Sequence, residues 1–208
     1  MPFITADTEV TDEVLRQIAY TPTKELDSQV DPAFIRNLTD QQFMRLAVLL
    51  AEKGDSEGGC PIGAVVIDTK TRAILGKGHN RMMQDEVPYW HGETDAIADA
   101  SRNVGLKNLD LSLTTIFTSL SPCEVCTGLI RTRMVGLEGA GTVVIGDAST
   151  HDNSENEERI RQRGINVVIL EDQQGIDLYR NYRERKPEQD ELDWGGVAAA
   201  RKAGYDLK

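Results

Sequence analysis

From Thr39 onward the apolar residues recur either at helical spacing or in strand-like runs, and the changes between the two divide the chain into elements. Phe43, Leu46, Ala47, Leu49 and Leu50 follow Thr39-Asp40-Gln41-Gln42, a threonine cap ahead of an amphipathic helix. Gly54 and the run Asp55-Ser56-Glu57-Gly58-Gly59 should stop that helix. Ile62 to Ile67 and Ala73 to His79 are rich in β-formers and flank Asp68-Thr69-Lys70-Thr71-Arg72, which reads as a hairpin loop. A helix opening at His91 turns Ala96, Ile97 and Ala100 inward and ends at Gly105. Thr114 to Leu120 predicts a third strand. Ser121 to Met134 predicts the next helix, with Ser121 as cap, Pro122 in the first helical position and Glu124 completing a capping box. Thr142 to Ile145 reads as a fourth strand, Glu155 to Arg163 as a polar helix, Asn166 to Leu170 as a fifth strand and Ile176 to Arg185 as a further helix. Strand, helix, strand in that order implies right-handed parallel crossovers. The expected fold is α/β: a three-layer α/β/α sandwich around a central mixed five-stranded sheet.

Residues 1–38 show no sustained pattern beyond a short helix over Thr11 to Tyr20, which Thr21-Pro22-Thr23 should end. They are read as an extension that packs on the surface or onto a partner, and residues 39–208 as one domain. The Glu- and Asp-rich stretch from Lys186 to Asp193 reads as the one compositionally biased segment. The 39% hydrophobic and 27% charged fractions are those of a globular protein. No apolar run approaches the roughly 20 residues that a membrane span needs, and the start lacks the basic and apolar regions of a secretory signal. Three cysteines, two of them in a metal-type spacing, argue against a disulfide framework and for a reducing compartment, so a cytoplasmic location is expected. The net charge of −11 should repel phosphate backbones. Arg131, Arg133, Arg159, Arg161 and Arg163 are dense, but the last three are interleaved with glutamates, as on solvated helix faces. A small neutral substrate is expected, not a nucleic acid.

Two short motifs carry the chemistry: His91-Gly92-Glu93, and Pro122-Cys123-Glu124-Val125-Cys126. His91, Cys123 and Cys126 make an incomplete zinc shell, and three protein ligands leave the fourth tetrahedral position to water, as in catalytic zinc sites. Glu93 need not touch the metal and is placed to carry protons. The pair of motifs is the signature of zinc nucleobase deaminases. Cys-x-x-Cys also occurs as a thioredoxin-like redox pair, but here Pro122 precedes the cysteines and a matching His-x-Glu is present. A structural zinc would need a fourth ligand, for which Cys60 and His79 are the spare candidates. By itself, Glu93 would read as a carboxylate complementing a helix dipole.

The chain resembles the fungal-type cytosine deaminases of the cytidine deaminase-like superfamily. The matching stretches are Pro61-Ile62-Gly63, Leu75-Gly76-Lys77-Gly78-His79-Asn80, His91-Gly92-Glu93 and Leu120-Ser121-Pro122-Cys123-Glu124-Val125-Cys126-Thr127-Gly128, within a resemblance from about Leu38 to Gly195. It implies that His91, Cys123 and Cys126 hold one zinc ion per chain, that Glu93 shuttles protons, that Asn80 hydrogen-bonds the base and that Ile62 packs on its face. Gly92 matters because many relatives acting on nucleosides or tRNA carry alanine there. Asp193 falls where the family has a carboxylate that accepts the ring N–H of a free base. The resemblance also implies a homodimer. Two departures concern the pocket walls. The family's aromatic residue ahead of that carboxylate is replaced by Asp190, for which Trp194 is the candidate substitute. A second aromatic position, after the fourth strand, falls near Thr150 and His151. The expected activity is hydrolytic deamination of a free base, cytosine first. The rival readings are another amino-heterocycle of guanine, pterin or triazine type, a tRNA adenosine deaminase, and a deaminase fold used only for interaction.

Overall fold

A computed structural model describes residues 3–137 and 139–205; Met1, Pro2, Glu138 and residues 206–208 lie outside the described residues. The elements run α1 (Asp12–Tyr20), α2 (Leu26–Gln29), α3 (Pro32–Arg36), α4 (Asp40–Ser56), β1 (Gly63–Asp68), β2 (Ile74–His79), α5 (Met82–Asp85), α6 (Gly92–Val104), β3 (Thr114–Leu120), α7 (Glu124–Arg133), β4 (Thr142–Asp147), α8 (Ser154–Arg161), β5 (Asn166–Ile169), α9 (Gln173–Arg185) and α10 (Pro187–Lys202). The strands form one mixed sheet in the order β2-β1-β3-β4-β5. β1 is antiparallel to β2 and β3, while β3, β4 and β5 run parallel.

Strand periodicity divides the core into two faces. Val65, Ile67, Phe117 and Val144 point to the side covered by α4, where they join Phe43, Leu46 and Leu49. Their neighbours Ala64, Val66, Ile116, Val143 and Ile145 point to the opposite side, against Ala96, Ala100, Ile130 and Ile160. The sandwich is therefore three-layered, as the alternation predicts. On that second face α6 lies directly on β2. A Cβ on Gly76 or Gly78 would run into the α6 backbone at Ala96 and Ala100, so glycine alternates along the strand where the helix approaches.

Several elements differ from the sequence expectation. The Thr39 capping box is present, with Gln42 returning the bond, but α4 runs through Gly54 to Ser56. The predicted cap at Ser121 is absent. Helix α7 begins at Glu124 with Cys123 as its N-cap, because Ser121 extends the sheet: its N–H donates to the Asp147 carbonyl (2.8 Å). Its hydroxyl donates to Glu157 (2.8 Å) and its carbonyl accepts from Asn153 Nδ2 (3.0 Å). The biased segment from Lys186 forms α10, which is interrupted at Gly196 by a left-handed φ of 67°.

Residues 3–38 hold more structure than their pattern suggests. Ile4, Leu15, Ile18, Leu26, Val30, Phe34 and Ile35 are buried in the same cluster as α4. A polar link adds to this packing: Lys77 on β2 sends its Nζ to the carbonyls of Ile18 and Thr21 (the latter at 2.6 Å), at the end of α1. No helix among the described residues is long and apolar enough to cross a membrane.

Candidate active site

Two helix N-termini converge at the carboxyl ends of the parallel strands, where open α/β sheets usually place their ligands. His91 is the N-cap of α6 and Cys123 that of α7, with Cys126 in the first turn. Free N–H groups and the positive end of a helix dipole favour thiolates at such positions. His91 Nδ1 lies 3.2 Å from Cys123 Sγ and 3.6 Å from Cys126 Sγ, and the three donor atoms all lie within 4.8 Å of one another. Zinc–sulfur bonds of about 2.3 Å and zinc–nitrogen bonds of about 2.0 Å at tetrahedral angles put N and S roughly 3.5 Å apart, so the donor set fits a zinc ion. Among the described residues no fourth side chain joins it. The spare candidates are engaged elsewhere: His79 Nε2 is 2.7 Å from Glu57, and Cys60 is buried in another cluster.

The electrostatics of the three donors point the same way. A hydrogen bond from the Cys126 thiol, aided by the His91 imidazole, pulls Cys123 down to about 4. Burial opposes charge on His91, but the adjacent Cys123 thiolate outweighs it and raises the imidazole to about 9. The Cys126 thiol is pushed well above its ordinary range, by its bond to Cys123 and by burial. A cation entering this cage displaces protons from His91 and Cys126, as metal ions do at thiolate sites.

Glu93 is buried in the first turn of α6. The Thr118 hydroxyl on β3 reaches its Oε1 at 3.0 Å, and the Cys126 sulfur lies 3.3 Å from Oε2. Burial, reinforced by the negative charge at Cys123, raises Glu93 above the ordinary carboxylate range. Gly92 lets α6 begin this close to the strands, since a Cβ there would sit 2.9 Å from the Ile62 carbonyl oxygen.

His91, Glu93 and Cys123 line a cavity of about 400 Å³ together with Ile62, Asn80, Asp193 and Trp194. Asn80 is fully buried at the end of β2; its Oδ1 accepts from the Met82 N–H (3.0 Å) and its Nδ2 faces Asp193 Oδ1 at 3.4 Å. The other Asp193 oxygen is buried and makes no hydrogen bond; burial raises this carboxyl, and the neighbouring Cys60 thiol opposes the rise. His151 is not among the lining residues; its ring stacks on Trp194, with centroids 3.7 Å apart. Gly92 likewise lies behind the cavity, against Ile62. Asp190 is turned away from it, accepting from the Tyr179 hydroxyl at 2.6 Å.

Sequence reasoning missed Thr118, Tyr179, Asn153 and Asn156. Strand parity carried a signal for Thr118, which lies two residues after Ile116 and so faces α6. Asn153 and Asn156 on the cavity wall had no signal within a polar run.

Comparisons with known proteins agree with this geometry. Residues 38–137 match the family model described as the cytidine and deoxycytidylate deaminase zinc-binding region. The chain is 37% identical over 155 residues to a cytosine deaminase from Candida albicans, covering 74% of this chain and 93% of that protein. It is 35% identical to a tRNA-specific adenosine deaminase from Haemophilus influenzae, over 49% of this chain and 57% of that one. Among solved structures, a guanine deaminase from Nitrosomonas europaea shares the fold, with a TM-score of 0.58 at 20% identity over 72% of this chain and 90% of that one. From its donor set, its fold and these relatives, the chain belongs to the zinc-dependent hydrolytic deaminases of the cytidine deaminase-like superfamily.

Proposed function

We propose that this deaminase acts on a free amino-heterocycle, cytosine first, and releases ammonia. The observation that carries the reading is Asp193: a buried carboxylate with one oxygen unpartnered, lining the same cavity as Glu93 and the zinc donors. A free base has a ring N–H to give such an acceptor, and a nucleoside has none at the glycosylated nitrogen. The similarity to the Candida albicans cytosine deaminase over nearly its whole length supports the same choice. The net charge of −11 weighs against a tRNA substrate.

Zinc held by His91, Cys123 and Cys126 supplies a Lewis acid and a water-derived nucleophile at neutral pH. Asn80 and Asp193 hold the base edge-on, and Ile62 packs on its face. Glu93 takes the two protons of the attacking water in turn, passing the first to N3 and the second to the departing amine, so that cytosine and water become uracil and ammonia. The Thr118 hydroxyl keeps one Glu93 oxygen in place during both transfers. A larger base of guanine type is the second reading, favoured by the polar wall of Asn153 and Asn156. We further propose a homodimer, by family precedent, working in the cytoplasm, which the three free cysteines favour.

The test is ammonia release from cytosine by zinc-loaded protein, with Glu93→Ala beside it. Turnover by the native chain and a loss of about 10²–10⁴-fold in the variant, at equal zinc content, is the expected result. A native protein with one zinc per chain and no ammonia release from cytosine refutes the cytosine assignment.

A further inference from the structure

Apart from the His91 imidazole, Trp194 is the one aromatic ring among the described residues lining the cavity, and it is held from two sides. One face of the indole stacks on His151, at 18° between the planes. Its Nε1 donates to the hydroxyl of Tyr179 on α9. That hydroxyl donates in turn to Asp190 Oδ1 (2.6 Å), whose second oxygen accepts from Arg183 Nε (3.0 Å). Arg183 also donates from Nη1 to the carbonyl of Thr150 (2.8 Å), the residue preceding His151. The contacts therefore close a circuit from Trp194 through Tyr179, Asp190, Arg183 and Thr150 to His151, and back to Trp194.

The direction of the hydrogen bonds in this circuit is forced. An indole N–H can only donate, so the Tyr179 oxygen receives Trp194 and its single proton is left for Asp190 Oδ1. Tyr179 and Asp190 are both buried, so water cannot replace either partner cheaply. Asp190 thus has work away from the cavity: it anchors the residue that aims Trp194 into it.

We propose that Tyr179 is a specificity-determining positioning residue, which sets Trp194 as the wall that decides how large a heterocycle reaches Asp193 and Glu93. The proposal rests on the reading that the cavity takes a flat amino-heterocycle, and the test separates the two. Native and Tyr179→Phe proteins, both zinc-loaded, are compared with cytosine and with guanine. A Trp90→Phe background leaves Trp194 as the only indole, because the chain has two tryptophans. With the circuit broken, KM for cytosine should rise about tenfold while kcat stays within about threefold, and the preference should move toward guanine by about tenfold. Trp194 emission should shift to the red and brighten as its stacking on His151 loosens. If Tyr179→Phe does not fold, Asp190→Asn weakens the same circuit through Arg183 and should move each readout in the same direction. An unchanged guanine-to-cytosine ratio overturns the proposal, and so does a changed ratio with unaltered Trp194 emission. If the native chain deaminates neither base, dissociation constants from Trp194 quenching replace KM. A changed ratio of those constants then keeps the wall while the choice of substrate falls; an unchanged ratio, or no binding of either base, overturns the wall too.

Discussion

Lys77 is a buried cation in the middle of β2, and its protonation should make the stability of the whole fold depend on pH. Burial is the main influence and lowers the amine from 10.5 to about 7; Asp99 opposes the shift and Lys53 adds to it. Between about pH 7 and 10.5 the unfolded chain therefore holds a proton on this side chain that the native protein does not. A group of this kind destabilises the fold below pH 7, and the penalty is removed as pH rises. The expected slope is about 1.4 kcal/mol per pH unit, amounting to about 5 kcal/mol across the window. Tyr179, Tyr182 and Cys60 are raised by burial and act with the opposite sign at high pH, so the effect has to be read as a difference. Lys77→Met removes the titrating group and leaves the carbonyls of Ile18 and Thr21 without their donor, a loss of about 1–3 kcal/mol that does not vary with pH. Urea unfolding of both proteins, zinc-saturated, from pH 6 to pH 10 gives the difference directly. The native chain should gain on the variant steadily above pH 7. A difference that stays flat from pH 7 to 10 refutes the reasoning, because it means that the two carbonyls keep the ammonium charged inside the fold.

Other perturbations test the site itself. Thr118→Val removes the hydroxyl 3.0 Å from Glu93 Oε1; kcat for ammonia release should fall about 10- to 100-fold, as for a lost bond to a charged group, with zinc content unchanged by atomic absorption. Gly92→Ala places a Cβ 2.9 Å from the Ile62 carbonyl oxygen, an overpacking cost of about 1–3 kcal/mol, so calorimetry should show Tm lower by about 2–10 °C. After zinc is stripped with a chelator, Cys123, held near 4, should be alkylated by iodoacetamide at pH 6, while Cys60, buried and raised, stays intact. Peptide mass spectrometry reads both sites, and zinc added back should protect Cys123.

The layers of the fold were legible because strand period and helix period leave different marks. Val65 and Ile67 alternate with Ala64 and Val66, and the sheet divides them between its two faces. Elements whose stability comes from tertiary contacts left no such mark. Helices α2 and α3 have four and five residues, too short for a period, and they are held by Leu26, Phe34 and Ile35 reaching the α4 cluster. Helix α10 has few apolar positions, and beside the packing of Trp194 and Ala200 what fastens it is polar: Asp190 to Tyr179 and Arg183, and Trp194 to Tyr179. The cap assigned to Ser121 failed for a related reason. Ser-Pro-x-Glu satisfies the local rule, but the sheet offers Ser121 a backbone partner on Asp147, and extending the strand takes precedence over starting the helix.

The metal cage and its walls differ in the same way, and the difference bears on where specificity resides. Cys123 and Cys126 stand out in sequence because one helical turn needs a fixed short spacing to bring two donors to one ion, and His91, on another helix, is marked by Glu93 two residues on. Trp194 reaches the cavity through a circuit of residues up to 44 positions apart, from Thr150 to Trp194, that share no spacing rule. A carboxylate at 190 looks like the loss of a wall until the Tyr179 hydroxyl is seen beneath it. The zinc donors can stay the same while the circuit is rebuilt around another ring, so a common cage is compatible with different bases among related folds. On the wall proposed for Trp194, the choice between bases belongs to α9, α10 and the loop after β4 more than to the zinc donors, and variants there should alter KM ratios before they alter kcat.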